Sequence, residues 1–370
     1  MNKLLINICC WFIPKKKNKR HFREKHREKH REKIVANGLT INPVNNPIDG
    51  INIKSILDRV NKIEKILIFD YTINHLPSWN VSNFTKQITD QTEHIPIFLA
   101  TDDNYLKYTA TVMASILYNT NSFIDFYILE NKITENGKNK LNQTMKKFNN
   151  FSIEYITISN DTIEIFKNTN KLNAHISVMT YIRFYIPSLK TNLDRAIYLD
   201  GDIVVLRDIK KLFDNNVDNF GIGAVKFGYL GDGFNAGVLL INCKKWRENN
   251  VLEELLKINK YLYDHERGSY NDQNVLNKYF KNDCLELDLK FNFINKILKY
   301  SEDKNDKSLQ EMIIRGRNDI VLCHFADKNK PWNNTIDIYG KDFLYFKDWW
   351  FYTSMTEFYE EIKDKFIFAQ

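Results

Sequence analysis

Two aspartates separated by one glycine, Asp200-Gly201-Asp202, stand between the apolar stretches 196–199 and 203–206. Both stretches are typical of buried strands, so the carboxylates are expected at a strand end inside a sheet. Side chains at i and i+2 project to one side of an extended backbone. One of two such close anions would protonate unless a cation intervenes. A divalent metal that also clamps a diphosphate would resolve the conflict, and Gly201 leaves room for a ligand to approach the backbone. A solvated turn is the alternative.

A second polar group follows an earlier apolar stretch, at 102–105, and consists of Asp102, Asp103, Asn104 and Tyr105. There is no Gly-x-Gly-x-x-Gly turn, which disfavours a dinucleotide fold with a glycine-rich phosphate loop. A carboxylate, an amide and an aromatic ring instead suit a nucleobase and ribose. The alternative is that Asp102 or Asp103 caps the following helix.

The elements that must position these residues alternate along the chain. Apolar runs predict strands at 95–101, 123–129 and 152–158, and amphipathic patterns predict helices at 106–118 and 134–148. This order is typical of a parallel, doubly wound sheet with right-handed crossovers, whose ligand binds at the carboxyl ends of the strands. Upstream, an apolar seam from Ile53 to Leu67 predicts a helix docked on its own domain. Residues 70–94 are expected to connect that helix to the sheet.

Composition describes an ordinary folded chain with a basic tail. The 370 residues are 43% hydrophobic, and the net charge of +7 is concentrated in residues 15–33. A protein built throughout for nucleic acid is therefore disfavoured. The apolar start is too short to span a bilayer. The apolar start and the basic residues 15–33 together form a tail, which is expected either to bind an anionic membrane surface or to form a solvated charged helix. Five cysteines without paired spacing favour a reducing cytoplasm.

Two enzyme classes use an Asp-x-Asp step of this kind. In haloacid-dehalogenase-like phosphohydrolases it supplies a nucleophile and an acid, and the stretch "GDGFNA" at 231–236 resembles their metal-binding motif. Their first motif lies on the opening strand, however, whereas here about 100 residues of predicted strand and helix precede Asp200. The other class is the nucleotide-sugar glycosyltransferases.

The chain resembles the retaining glycosyltransferases of family 8, which include bacterial lipopolysaccharide galactosyl- and glucosyltransferases. Seven segments match in order: "ATDDNY", "HISVMTYIRFYIP", "RAIYLDGDIVVLRDI", "FNAGVLLINCKKWR", "YNDQNVLN", "LKFNFI" and "CHFADKNKPW". The resemblance implies an α/β, Rossmann-like nucleotide-binding domain of the glycosyltransferase A type. The resemblance covers residues 95–332, and the glycosyltransferase domain is expected at 95–334. The other expected segments are a tail at 1–37, a helical extension and connector at 38–94, and an aromatic helical segment at 335–370.

The same resemblance implies the site residues. Asp200, Asp202 and His324 would bind the metal ion, which would be Mn²⁺ or, alternatively, Mg²⁺. Uridine contacts would come from Ala100, Asp102, Asn104 and Tyr105, and the remaining donor contacts from Arg183, Gly201, Asn235, Ala236 and Lys330. The catalytic pair at the sugar would be Asp272 and Gln273. Since Gln273 offers only a neutral amide, retention would come from front-side displacement or from a weak nucleophile.

Two departures concern the acceptor and the diphosphate. Asp327 stands where the family usually has glycine, and the segment 225–234 is shorter than the acceptor-side loop of many relatives. The expected reaction moves galactose or glucose from its UDP donor to a hydroxyl of a glycan or glycolipid, such as lipopolysaccharide, in the cytoplasm at the inner membrane face. The alternatives are the phosphohydrolase and a non-enzymatic protein that binds membrane or nucleic acid through its tail. The aromatic cluster at 349–352 would pack on the sheet or enter a membrane interface.

Overall fold

The structure, a computed structural model, describes residues 53–168, 178–227, 233–265, 270–294, 319–326, 329–333 and 345–368. The tail predicted at 1–37 and Asp327 lie outside these residues, as do parts of the predicted 225–234 and 335–370 segments. The chain divides into two units, Met1–Asn74 and His75–Gln370.

The described part of the first unit is one helix, α1 (Ile53–Asn74). It covers the predicted apolar seam and continues through the first residues of the predicted connector. Two members of the seam, Ile63 and Leu67, are exposed. Beyond the helix, Pro77 lacks the backbone N–H that a further helical turn would need.

In the second unit, the strands β1 (His94–Asp102), β2 (Phe123–Asn131) and β3 (Phe151–Thr157) alternate with the helices α2 (Leu106–Asn119) and α3 (Glu135–Met145). Both neighbouring pairs of strands are parallel. The predicted alternation is therefore confirmed, although α3 ends three residues before the predicted boundary. The central strand β1 is apolar on both faces because helices and loops cover both sides of a parallel sheet.

The large sheet has the order β3-β2-β1-β4-β7-β6-β8. Its later strands are β4 (Arg195–Leu199), β6 (Ile222–Ala224), β7 (Val238–Asn242) and β8 (Cys284–Glu286). The strand β4 is parallel to β1, whereas β7 runs antiparallel to both of its neighbours. The sheet is thus parallel except for one inserted strand, as in many large mixed sheets.

A second sheet, of order β5-β10-β9, consists of β5 (Ile203–Val205), β9 (Phe293–Ile294) and β10 (Leu322–His324). The two apolar stretches around Asp200-Gly201-Asp202 therefore belong to different sheets, since the chain leaves the large sheet at Leu199 and enters the small one at Ile203. Antiparallel pairing sets His324 opposite Ile203. The small sheet thereby brings a histidine from more than 120 residues downstream beside the aspartates.

The remaining described helices are α4 (Asn160–Asn168), α5 (Ile186–Leu189), α6 (Lys210–Phe213), α7 (Cys243–Glu248), α8 (Val251–His265), α9 (Asp272–Tyr279), α10 (Phe346–Thr353) and α11 (Tyr359–Phe368). Short 3₁₀ helices occupy Val81–Asn83, Val178–Tyr185 and Leu289–Phe291. None of the helices in the described part of the chain is both long and apolar enough to cross a membrane.

The carboxyl-terminal aromatic residues pack inside the fold. Trp349 and Trp350 of α10 are fully buried, and Thr353 on the same helix shares a 3.0 Å hydrogen bond with Thr111 of α2. The Trp350 indole N–H donates to the carbonyl of Pro331. Of the two alternatives for this cluster, packing on the domain is the one observed.

Candidate active site

The Asp-Gly-Asp step lies at the junction of the two sheets. The backbone N–H of Asp200 donates to the Gly237 carbonyl of the neighbouring strand region at 2.8 Å, and the Asp202 carbonyl accepts from the Phe325 N–H at 2.9 Å. The two aspartates are therefore held by backbone bonds to different sheets. This junction adjoins the carboxyl end of β1, because β1 and β4 pair in parallel up to Leu99 and Leu199.

Asp200, Asp202 and His324 form a compact group of metal-ligand types. Their ligand atoms lie within 4.8 Å of one another. His324 Nε2 is 3.1 Å from Asp202 Oδ1 and 3.9 Å from Asp200 Oδ2. The three residues that the resemblance assigned to a metal are thus brought together.

The donor atoms of this group fit a divalent cation. Asp202 Oδ1 is buried and has no hydrogen-bond partner among the described residues, and His324 Nε2 lies 3.1 Å from it. A buried, unpaired carboxylate oxygen is costly. Gly237 keeps the space beside the group open, since a Cβ there would lie 2.6 Å from Asp200 Oδ2. Two carboxylates and one imidazole are suitable ligands for Mn²⁺.

Asp202 is stabilised as an anion despite its burial. Burial alone would raise the pKa of this carboxyl, but Lys330 and His324 outweigh it and hold the pKa well below its usual range. The Lys330 ammonium donates to Asp202 Oδ2 and to the Phe325 carbonyl. The predicted diphosphate lysine therefore lies directly beside the metal-ligand group.

Arg183 lies between two carboxylates and is 2% exposed. Its Nη2 is 3.0 Å from Asp200 Oδ1, its Nε is 3.1 Å from Asp272 Oδ2, and its Nη1 donates to the Ala236 carbonyl. Burial lowers the pKa of this guanidinium, but Asp272 and Asp200 outweigh burial and raise it. For Asp272, burial raises the pKa, and Arg183 opposes that rise only in part. Arg183 thus connects Asp200, Asp272 and the Ala236 carbonyl at the site.

Tyr198 is a site residue that the sequence analysis did not identify. Its hydroxyl donates to Asp200 Oδ1 at 2.9 Å, and the Arg183 guanidinium lies 4.2 Å from its ring centroid. Because Oδ1 accepts from both side chains, Oδ2 is the oxygen that faces His324. The i, i+2 spacing of Tyr198 and Asp200 on a strand was the available signal.

The residues after β1 form a turn beside the aspartates. Asp102 Oδ1 accepts from the Tyr105 N–H at 2.9 Å, whereas Asp103 Oδ1 accepts from the N–H and hydroxyl of Thr134. The N-cap of α2 is Tyr105, without a side-chain bond, so neither aspartate caps the helix. Burial first, then the charges of Asp202 and Asp200, raise the pKa of the Tyr105 hydroxyl.

The other predicted nucleotide contacts lie along the same edge. Ala100 is half-buried on β1, and Asn104 is exposed in the turn. A Cβ at Gly201 would lie 3.0 Å from the Tyr105 ring and 3.1 Å from Thr109 Oγ1. Within the chain, the glycine therefore makes room for a tyrosine; the expected approach of a ligand to its backbone stays a prediction.

The sugar-side residues meet where β7 begins and α9 begins. Gln273 Oε1 accepts from the Asn235 side-chain amide at 3.1 Å and from the Ala236 N–H at 3.2 Å. Asp272, next to it, is buried against Arg183. A further amide, Asn292, hydrogen-bonds both Asn235 and His324. It stands in the matched segment "LKFNFI", to which no role had been assigned.

The chain is similar to known glycosyltransferases in sequence and in fold. The sequence pattern of the family described as Glycosyl transferase family 8 matches residues 96–336. The chain is 32% identical over 241 residues to Glycosyltransferase GlyF of Streptococcus pneumoniae serotype 4, covering 64% of this chain and 57% of GlyF. It is 28% identical over 268 residues to GlyA of the same organism, covering 71% of this chain and 35% of GlyA. The chain thus spans about half or less of the length of these relatives.

Among solved structures, the galactosyltransferase LgtC in complex with donor and acceptor sugar analogues is similar in fold. The TM-score is 0.59 at 24% identity, and the match covers 71% of this chain and 96% of that chain. The predicted α/β fold of the glycosyltransferase A type is therefore confirmed. These findings support a glycosyltransferase and give the phosphohydrolase alternative no support.

Proposed function

The chain belongs to Glycosyl transferase family 8, and we propose that it transfers galactose or glucose, with retention, from a UDP donor to a hydroxyl of a glycan or glycolipid. One observation carries the proposal: a buried Asp202 oxygen without a hydrogen-bond donor faces His324 and Asp200 at the carboxyl edge of the sheet. A nucleotide-sugar site needs a cation at that position to hold a diphosphate.

Asp200, Asp202 and His324 would hold Mn²⁺, or alternatively Mg²⁺. When bound, the ion supplies positive charge to the diphosphate oxygens as the sugar bond breaks. Lys330, beside Asp202, would add a compact positive charge on the same leaving group. The turn at Asp102 and Tyr105 would hold the uridine, together with Ala100 and Asn104.

The sugar would lie against Asn235, Ala236 and the start of α9. Near it, Asp272 Oδ2 lies 3.1 Å from Arg183 Nε and forms an ion pair with it, although the Nε proton itself is donated to the Thr180 carbonyl. Gln273 Oε1 accepts two hydrogen bonds from protein donors. A carbonyl oxygen has two lone pairs, so attack by Gln273 would require breaking one of these bonds. The arrangement favours front-side displacement over a weak nucleophile. In that reaction the acceptor hydroxyl adds on the face that the diphosphate leaves, and retention follows.

The test is donor turnover by the purified chain. We expect release of UDP from UDP-galactose or UDP-glucose that requires Mn²⁺ and is lost in Asp202→Asn. Asp319→Asn is the matched control, since Asp319 pairs with Arg207 at the surface and that variant should keep wild-type turnover. Phosphate release from an aryl phosphate without UDP release, or full turnover by Asp202→Asn, would overturn the proposal. Retention is read from the anomeric configuration of the product by NMR.

The setting is part of the same proposal. Extension of lipopolysaccharide or another surface glycan at the inner membrane face would suit a sugar nucleotide made in the cytoplasm. Binding of the full chain to anionic vesicles, compared with a chain that lacks residues 1–37, tests the tail's membrane role. Equal binding by the two chains would remove the membrane surface from the proposal.

A further inference from the structure

A chain of side-chain amides connects the metal-ligand group to the sugar-side residues. Asn292, fully buried, lies in the middle. Its Oδ1 is 2.9 Å from His324 Nδ1, and its Nδ2 donates to Asn235 Oδ1 at 3.0 Å. Asn235 Nδ2 in turn donates to Gln273 Oε1 at 3.1 Å. Four side chains from four separate segments are thus joined end to end.

Backbone N–H groups set the direction of this amide chain. The Gly237 N–H donates to Asn235 Oδ1 at 3.0 Å, and a backbone N–H can only donate. That atom of Asn235 must therefore be its oxygen. The Ala236 N–H identifies the oxygen of Gln273 in the same way, at 3.2 Å. Both ends of the Asn235 amide are thereby fixed by the backbone N–H groups around it.

The direction then propagates to the histidine. Since Asn235 presents an oxygen, Asn292 must present its NH₂ group to it and its own oxygen to His324. An amide oxygen can only accept, so His324 Nδ1 carries a proton. In a neutral imidazole the other nitrogen, Nε2, then holds the lone pair. Nε2 is the nitrogen that lies beside Asp202 Oδ1 and Asp200 Oδ2.

We infer that Asn292 is a positioning residue: it holds the His324 proton on Nδ1 so that the Nε2 lone pair faces the cation site. The inference rests on the proposed function, because only that function provides a cation for the Nε2 lone pair to bind. Second partners of this kind orient ligating histidines and raise their affinity for the metal. The same amide also connects the histidine to Asn235, and through it to Gln273, so metal and sugar contacts share one hydrogen-bond network.

The first test reads the tautomer directly in protein stripped of metal. Long-range ¹⁵N NMR of histidine-labelled chain, at a pH where the imidazole is neutral, reports which ring nitrogen carries the proton. The His324 signals are identified by their loss in His324→Gln. We expect Nδ1 protonated in the wild type and in Asn292→Asp, whose carboxylate can still accept. In Asn292→Leu we expect the proton to populate Nε2.

The second test measures Mn²⁺ affinity of the metal-stripped chain from the EPR signal of the free ion. Asn292→Leu should bind Mn²⁺ about 10- to 100-fold more weakly, and Asn292→Asp should recover most of that loss. Asn150→Leu is the matched control: Asn150 is also fully buried, but its amide donates to the Ser122 carbonyl, away from the site. That variant should keep wild-type affinity even where its stability falls.

A wild-type proton on Nε2 would overturn the inference, even if Asn292→Leu does not fold. Unchanged Mn²⁺ affinity in a folded Asn292→Leu would also overturn it. The proposed function fails separately: wild-type chain that binds no Mn²⁺ and releases no UDP would refute that function, while the tautomer result would still decide the role of Asn292.

Discussion

Replacing Gly237 by alanine should block the metal-ligand group by steric overlap alone. The backbone φ of Gly237 lies outside the left-handed region, so the added Cβ introduces no backbone strain of its own. The Cβ would lie 2.6 Å from Asp200 Oδ2 and 3.0 Å from His324 Nε2, whereas real Cβ contacts almost never fall below 3.0 Å. Two of the three ligand groups border the new methyl.

The size of the effect follows from these distances. Asp200 Oδ2 must move by at least about 0.4 Å, and metal–ligand distances in a functional site are held to about 0.2 Å. We therefore expect at least a tenfold loss of Mn²⁺ affinity. Misplacement by 1 Å costs about 100-fold in rate, so a shift of about 0.4 Å should lower UDP release by roughly tenfold or more. Overpacking should lower the free energy of unfolding by about 1–3 kcal/mol.

The assay pairs Mn²⁺ affinity by EPR with UDP release and thermal unfolding. Gly223→Ala serves as the control, because Gly223 lies on β6 of the large sheet and the atoms nearest to its Cβ would belong to Val217 and Leu287, at 3.2 Å and beyond. That variant should lose some stability and keep its affinity for Mn²⁺. Wild-type affinity and turnover in a folded Gly237→Ala would refute the steric reasoning and the placement of the cation.

Three further changes test other parts of the site and fold. Tyr198→Phe removes one donor from Asp200 Oδ1; a hydrogen bond to a charged group is worth about 1.5–3 kcal/mol, so the free energy of unfolding should fall by about that amount, and unchanged stability in urea unfolding would contradict the role of that hydroxyl. Because the pKa of Asp202 is lowered in the folded chain, its ionisation stabilises the fold above the unfolded pKa of about 3.9 and that contribution is lost as pH falls below this value. The stability difference between wild type and Lys330→Met, measured by urea unfolding, should therefore shrink from pH 7 to pH 3, and a constant difference would argue against the pair. Trp349→Ala should lower the free energy of unfolding by about 3–5 kcal/mol, with Phe351→Ala, on the half-buried face of α10, costing less.

The sequence predicted those features that depend on local pattern. Buried apolar runs located β1, β2 and β3, and charge repulsion between Asp200 and Asp202 pointed to a cation before any partner was known. His324 required the family resemblance, because a histidine after an apolar run is by itself typical of a core residue. Its position beside Asp202 depends on pairing between β5 and β10, whose residues are more than 100 positions apart.

The features that were missed depend on such long-range pairing. The antiparallel insertion of β7 places the Gly237 carbonyl against the Asp200 N–H, and no local pattern encodes that register. Asn292 bonds to Asn235 and His324 across separations of 57 and 32 residues. Amide residues carry no apolar period, so their partners become visible only when the fold is known.

The charges in contact within the site would suit a divalent cation. Asp200, Asp202 and Asp272 contribute three carboxylates, and Arg183 and Lys330 contribute two cations. These five groups contain one carboxylate more than they contain cations, and the carboxylate oxygen without a hydrogen-bond donor belongs to Asp202. A divalent ion would turn this excess into a net positive charge, which a nucleotide diphosphate can then neutralise. Arg183 suits the buried side of the site because its planar guanidinium reaches Asp200 and Asp272 at once. In the proposed function, the single ammonium of Lys330 would move from Asp202 to a phosphate oxygen while the contacts of Arg183 stay in place.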